Sequence, residues 1–207
     1  MIRHFGVNIK EKLNGLKLTR DNYIKVNNKS SIIKNKIYSK EWIEDHKESC
    51  LYNYDLNVKY FRLLSKQDFN KELMEFINKN KLFNEINDLA PLSNVSGYYI
   101  MVLDEYSQVY VGQSRKIKER IQSHWSKQKE FDRLIFGGEE NSILSIDSFR
   151  AYDTTRIFVS LTDESLELED HFINLFNEKY LLNRTKGGAL GELIEAIINR
   201  KTRDLQA

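Results

Sequence analysis

The stretch that decides the fold reads Gly97-Tyr98-Tyr99-Ile100-Met101-Val102-Leu103, then Asp104-Glu105-Tyr106-Ser107, then Gln108-Val109-Tyr110-Val111-Gly112. The first run is almost continuously apolar or aromatic, which predicts a strand buried on both faces. The four polar residues after it turn the chain, and the second run returns as a hairpin partner. Beyond the hairpin, Ile117, Ile121 and Trp125 recur every four residues. That spacing predicts a helix from Ser114 to about Lys127 with one buried stripe.

Further out, Arg156-Ile157-Phe158-Val159-Ser160-Leu161 reads as another strand, and Ile143 to Phe149 as a candidate strand. Asp163 is the expected cap of a helix over Glu164 to Glu178, and a last helix is expected over Leu190 to Arg200. Between Lys127 and Asn141 another helical turn or two is expected, ended by Gly137-Gly138. On the N-terminal side, Phe69, Leu73, Phe76 and Ile77 predict a helix over 67–80, capped by Ser65 or Asp68. A second short helix is expected over Leu82 to Leu89. Pro91, the only proline, breaks the pattern and marks a boundary between residues 1–92 and 93–207. Periodicity is weak in residues 1–60, and a hairpin within Asn22 to Tyr38 is the one expectation there. The fold class read from this pattern is α+β: a three-stranded antiparallel sheet flanked by helices, with an N-terminal α/β extension.

Bulk properties narrow the class of protein. Hydrophobic residues make up 41% of 207, enough for a real core. Cys50 is the only cysteine, so an intrachain disulfide and a cysteine-based zinc site are excluded. With no long apolar run and no apolar h-region at the N-terminus, the expected location is cytoplasmic. Net charge is only +2, but residues 1–40 hold ten Lys/Arg against Glu11 and Asp21, a net of +8. Residues 93–207 carry a net of −3. This asymmetry suits a basic segment that docks a polyanion. It also suits a lysine- and asparagine-rich composition with no such role.

Chemistry-bearing residues gather around the hairpin. Arg120, His124 and Lys127 follow at i, i+4 and i+7 and are expected on one helix face, at the edge of the Ile117/Ile121/Trp125 stripe. An arginine there can grip a phosphate bidentately. Glu169 falls among Leu166, Phe172, Ile173 and Phe176, whereas Glu167 and Asp170 are expected to point outward. A carboxylate in an apolar face needs compensation, by a cation or by Arg120. One carboxylate can hold a single Mg²⁺ that keeps most of its waters. Tyr99 and Tyr110 are candidates to activate water, given a nearby cation to help them ionise. Asn183 is expected to pin the C-terminal loop beside the site. His46 and His171 form no metal-ligand spacing, and no phosphate-cradling glycine loop is present. Arg115, Lys116, Lys127, Arg184 and Lys186 border these positions and are the candidate phosphate contacts.

Gly97-Tyr98-Tyr99, Tyr110-Val111-Gly112, Arg120, Glu169 and Asn183, in this order and setting, closely resemble the GIY-YIG nuclease family. The resemblance covers roughly residues 95–188. It implies a divalent-metal-dependent endonuclease that hydrolyses DNA phosphodiesters, with one Mg²⁺ or Mn²⁺ per active site. In that light Tyr99 matches the catalytic tyrosine, Tyr110 the second tyrosine and Arg120 the phosphate-contacting arginine. Glu169 matches the metal ligand and Asn183 the late asparagine. His124 stands where restriction enzymes of the family can carry histidine. Gln113 departs from the lysine of the repair members, leaving Arg115 or His124 to assist electrostatically. The implied partner is double-stranded DNA. One site cuts one strand, so a double-strand cut would need a dimer or two sequential nicks. Two other readings remain open at this point: a DNA-binding or regulatory protein that keeps the fold without cutting, and an RNA-cleaving nuclease.

Overall fold

The computed structural model describes residues 2–10, 12, 15–25, 32–33, 36–136 and 138–183. The expected C-terminal helix, Arg184 and Lys186 lie outside the described residues. The molecule is mixed α+β, and its sheets are antiparallel. Two short hairpins come first in the chain: β1 (Arg3–His4) with β2 (Val7–Asn8), and β3 (Ile32–Ile33) with β4 (Lys36–Ile37). Among the described residues of the stretch read as a hairpin over 22–38, Ile32–Ile33 and Lys36–Ile37 form one. The start of that stretch closes a short helix, α1 (Arg20–Tyr23).

The main sheet has four strands where three were expected. β6 (Gly97–Leu103) lies between β7 (Gln108–Ser114) and β8 (Arg156–Leu161). The fourth, β5 (Asn84–Ile86), pairs with β8 through Asn84↔Val159 and Ile86↔Ile157. It falls inside the stretch read as a second helix. Phe83, just before it, is buried in the core, and the three-residue strand covers an edge of β8 that would otherwise be open. Residues on both sides of Pro91 therefore share one sheet.

Alternation along β6 sorts the core. Tyr99, Met101 and Leu103 face one apolar cluster, and Tyr98, Ile100 and Val102 face another. The first cluster is completed by α2 (Lys40–Leu63) and by Ile117, Ile121 and Trp125 of α4 (Ile117–Ser126). The second is completed by α3 (Lys66–Lys79) and α5 (Glu169–Asn174). The result is a sheet with helices on both faces. α3 matches its expected span, with the Ser65 hydroxyl accepting from Asp68 N. Among the described residues no helix is long and apolar enough to cross a membrane.

α2 had no counterpart in the sequence reading, and the reason is chemical. Its inward stripe is Cys50, Asn53/Tyr54, Asn57 and Tyr60/Phe61, so two asparagines occupy core positions. Their amides serve a neighbouring irregular segment. Asn53 Nδ2 and Asn57 Nδ2 both donate to Ser142 O (2.7 and 2.8 Å), and Leu144 N donates to Asn57 Oδ1. Backbone groups that a strand over 143–149 would need for a ladder are thereby taken. That segment forms a 3-10 turn, Ile146–Ser148, not the expected strand. Two helix expectations are also corrected. Ser114 ends β7 instead of opening α4, and its hydroxyl accepts from Lys116 N. Asp163 does not cap α5, which begins at Glu169 with Leu168 at the cap position. Among the described residues of 127–141 the helical content is two 3-10 turns, Phe131–Arg133 and Glu139–Asn141.

Candidate functional site

Two glycines make room for the site. Gly97 adopts φ +154°, and a Cβ there would stand 2.3 Å from the Ser160 carbonyl oxygen, so the central strand tolerates no side chain at its start. Gly112 is the register partner of Tyr99, and a Cβ on it would meet the Tyr99 ring at 2.4 Å. The phenol thus lies across the bare backbone of β7. Tyr110, two residues back on the same face, has its ring centroid 6.2 Å from that of Tyr99. Helix α4 is seated against the start of β6 by Ile117 N donating to Val95 O.

A buried polar chain runs beneath this surface. The Tyr99 hydroxyl lies 2.9 Å from His124 Nε2, and His124 Nδ1 lies 2.7 Å from Asp147 Oδ1. Tyr99 is fully buried and His124 is 3% exposed. Burial acts to raise the Asp147 carboxyl, yet the His124 hydrogen bond and nearby cations hold it below the usual carboxylate range. An ionised Asp147 only accepts, so Nδ1 carries the imidazole proton. Nε2 is then the acceptor, and Tyr99 O–H donates to it. Burial pushes His124 below its ordinary pKa against the pull of Asp147, which keeps the ring neutral at pH 7.

Above the buried chain sit the more open groups. Arg120, in the first turn of α4, is exposed, and Tyr110 and Glu169 are half-buried. Both tyrosines answer to the same two charges. Burial dominates and lifts Tyr99 well above 10 and Tyr110 to about 12. Arg120 opposes that rise at both hydroxyls, and Glu169 adds to it at both. The four side chains therefore share one electrostatic neighbourhood. Arg120 thus helps both tyrosines ionise, as expected of a nearby cation, but desolvation outweighs the guanidinium and both phenols keep their protons at neutral pH.

Glu169 arrives from the other side of the sheet. It is the first residue of α5, whose Phe172 and Ile173 pack in the second cluster, and α5 runs against the edge strand β7. Leu166 lies outside the helix, so the carboxylate heads a helix and does not interrupt one. Asp170 was read as pointing outward. Instead it is half-buried, with Oδ1 shielded from solvent and lacking a hydrogen-bond partner.

Asn183 binds the segment that follows α5 to the site strand. Its Nδ2 donates to Val111 O (2.8 Å), and Val111 N donates to its Oδ1 (3.0 Å). With Leu182 N donating to Val109 O, the segment Leu181–Asn183 runs as a parallel extension along β7. Its amide imitates one more backbone unit. Of the remaining candidates, Arg115 and Lys116 are exposed at the β7–α4 junction. Lys127 is exposed too, but it is the C-cap residue of α4 with extended backbone, so it does not continue the Arg120/His124 face as a helical i+7 partner.

Asp147 escaped the sequence reading, as did Lys12. Lys12 is buried, and its Nζ donates to Asp147 O (2.8 Å) and Phe149 O (2.6 Å). Burial, with Arg150 nearby, pulls its pKa down to about 7. Lys12 reaches the site from far along the chain and Asp147 from an irregular segment 23 residues past His124, and no periodicity marks either. Among the described residues no three His, Cys, Asp or Glu side chains cluster as a metal cage. A divalent cation here would have Glu169 as its protein carboxylate, with water and substrate oxygens completing the shell. Hard cations that keep their waters fit such a sparse oxygen donor set. Compared with protein-family models, curated proteins and solved structures, the chain matches none.

Proposed function

We propose that the protein is a divalent-metal-dependent endonuclease that hydrolyses phosphodiester bonds in duplex DNA, in the manner of the GIY-YIG nucleases it resembles. One observation carries the reading: Arg120 and Glu169, of opposite charge, both act on the hydroxyls of Tyr99 and Tyr110, while Tyr99 is already hydrogen-bonded to a neutral imidazole. An arginine, a carboxylate and a tyrosine–histidine pair are suited to binding a phosphate diester and taking a proton from water.

Arg120 grips the non-bridging oxygens and stabilises charge building at phosphorus. Once substrate binding uncovers the Tyr99 hydroxyl, which is buried in this structure, the attacking water loses its proton to the Tyr99 oxygen as Tyr99 passes its own proton to His124 Nε2. The phosphorus–oxygen bond to the leaving sugar breaks, and that oxygen takes a proton from solvent. Tyr99 thus acts as a relay and never needs to stand as a free phenolate, in keeping with its raised pKa. A Mg²⁺ or Mn²⁺ ion held by Glu169 would supply Lewis-acid stabilisation of the phosphate. Exposed Arg115 and Lys116 would contact the flanking backbone, which makes affinity salt-dependent. Part of the basic N-terminal charge is committed internally: Lys17 pairs with Glu105, Arg20 with Asp55, and Lys12 is buried.

Nicking of supercoiled plasmid with Mg²⁺, and again with EDTA, tests the reading. Metal-dependent nicking is expected, and Glu169→Ala should bind duplex DNA as the parent does without cutting it. A parent protein that leaves the plasmid intact at any metal concentration overturns the proposal. Faster cleavage of RNA than of duplex DNA overturns the substrate assignment.

A further inference from the structure

We propose that Asp147 is a positioning residue for this reaction, fixing the His124 ring so that its Nε2 lone pair faces Tyr99, and that the N-terminal segment braces Asp147 in place. The inference rests on the nuclease reading for its catalytic consequence, but its structural half stands alone.

The argument begins with the ring. An imidazole at the end of a buried tyrosine can accept a proton only through a nitrogen that carries none. His124 offers Nε2 to Tyr99 and Nδ1 to Asp147. Were the ring protonated on Nε2 instead, Nδ1 and the Asp147 carboxylate would face each other as two acceptors at 2.7 Å. That arrangement leaves two buried lone pairs opposed, so the carboxylate selects the tautomer. It also stabilises the imidazolium that forms once the proton arrives. Asp147 touches neither substrate nor the reacting atoms, so it acts through the ring alone.

Asp147 sits in an irregular segment, which by itself would hold a carboxylate loosely. Residues 147–154 are instead tied to the first 22 residues by six hydrogen bonds, made by five residues of the N-terminal segment. Lys12 Nζ donates to Asp147 O and Phe149 O. Tyr152 N donates to Leu16 O. Leu18 N donates to Asp153 Oδ2, the Arg150 guanidinium to Asn22 O, and His4 Nε2 meets Thr154 O. Lys12 is the tie closest to Asp147 and lies almost wholly out of solvent. A buried lysine that spans two carbonyls from another part of the chain is costly unless it organises what it holds. The N-terminal segment is therefore part of the active-site scaffold.

Nitrogen-15 NMR of the histidine rings in the full-length protein gives a direct test. The parent His124 is expected as the Nδ1–H tautomer at pH 7.5; a proton on Nε2 overturns the proposal whatever any variant does. In Asp147→Asn the ring is expected to lose that single tautomer, and kcat for plasmid nicking to fall about 100-fold, with KM for DNA unchanged. Lys12→Met keeps the carboxylate and should lower kcat about 10-fold with the tautomer preserved. If the parent cuts and both variants cut equally fast, the positioning role is lost while the nuclease reading survives. A parent that does not cut removes the nuclease reading, and the ring spectrum still decides the structural claim.

Discussion

The two faces of the main sheet are built on different principles. The face of Tyr98, Ile100 and Val102 is covered by Phe69, Leu73, Phe76, Phe83, Phe172 and Phe176, with rings interlocked at 4.3–6.3 Å. The face of Tyr99, Met101 and Leu103 shares its core with Lys12, His124, Arg150 and Asp153, four ionisable groups that are nearly inaccessible to solvent. Burying such groups costs several kcal/mol each unless they are partnered. Here the partners are named: Asp147 for His124, two carbonyls for Lys12, Asn22 O for Arg150, and Tyr106 with two backbone amides for Asp153. One face supplies stability, and the other spends part of it to hold polar groups in fixed positions.

Three substitutions or conditions put that contrast under strain. Truncating the apolar face should produce the largest thermodynamic effect. Leu73→Ala is expected to cost about 2–5 kcal/mol in urea unfolding, with the nicking rate at 25 °C unchanged. A lost rate at full stability would mean that the apolar face is part of the site. On the polar face the pattern should invert. Tyr99→Phe removes one buried hydroxyl and should cost only about 1 kcal/mol of stability, while nicking slows about 100-fold. Equal rates for Tyr99→Phe and parent would remove the relay. The smallest effect is a pH dependence. Tyr99, Tyr110, Asp147, Arg120 and Lys12 all face or act on His124, and burial keeps its pKa below 6.5. Nicking should therefore hold steady down to pH 6.5 and fall only as His124 gains a proton below it. An acidic limb centred above 6.5 would show that the ring is not the acceptor.

Legibility from sequence followed the same divide. β6, β7, α3, β8 and the α4 stripe were readable because apolar periodicity writes them directly. α2 was not, because Asn53 and Asn57 stand where a periodicity search expects hydrophobes. β5 is three residues long, too short for any pattern to register. α5 proved shorter than expected because residues before Leu168 are held irregular, with Leu168 N donating to the Tyr98 hydroxyl. At the site, Tyr99, Tyr110, Arg120 and His124 were nominated within a short span and meet in space, and Asn183, nominated from far downstream, is tied to the backbone of Val111 beside Tyr110. Asp147 was not found because it lies in an irregular segment with no periodicity, and Lys12 because it is 135 positions from Asp147 and tied to backbone carbonyls.

The Leu181–Asn183 extension also bears on solubility and self-association. It lies along the outer edge of β7 over Val109–Val111, and on the opposite rim β5 leaves only three residues of strand. Among the described residues, a second strand could add over Val109–Val111 only by displacing Leu181–Asn183. Strand-to-strand polymerisation along that part of β7 is thereby discouraged.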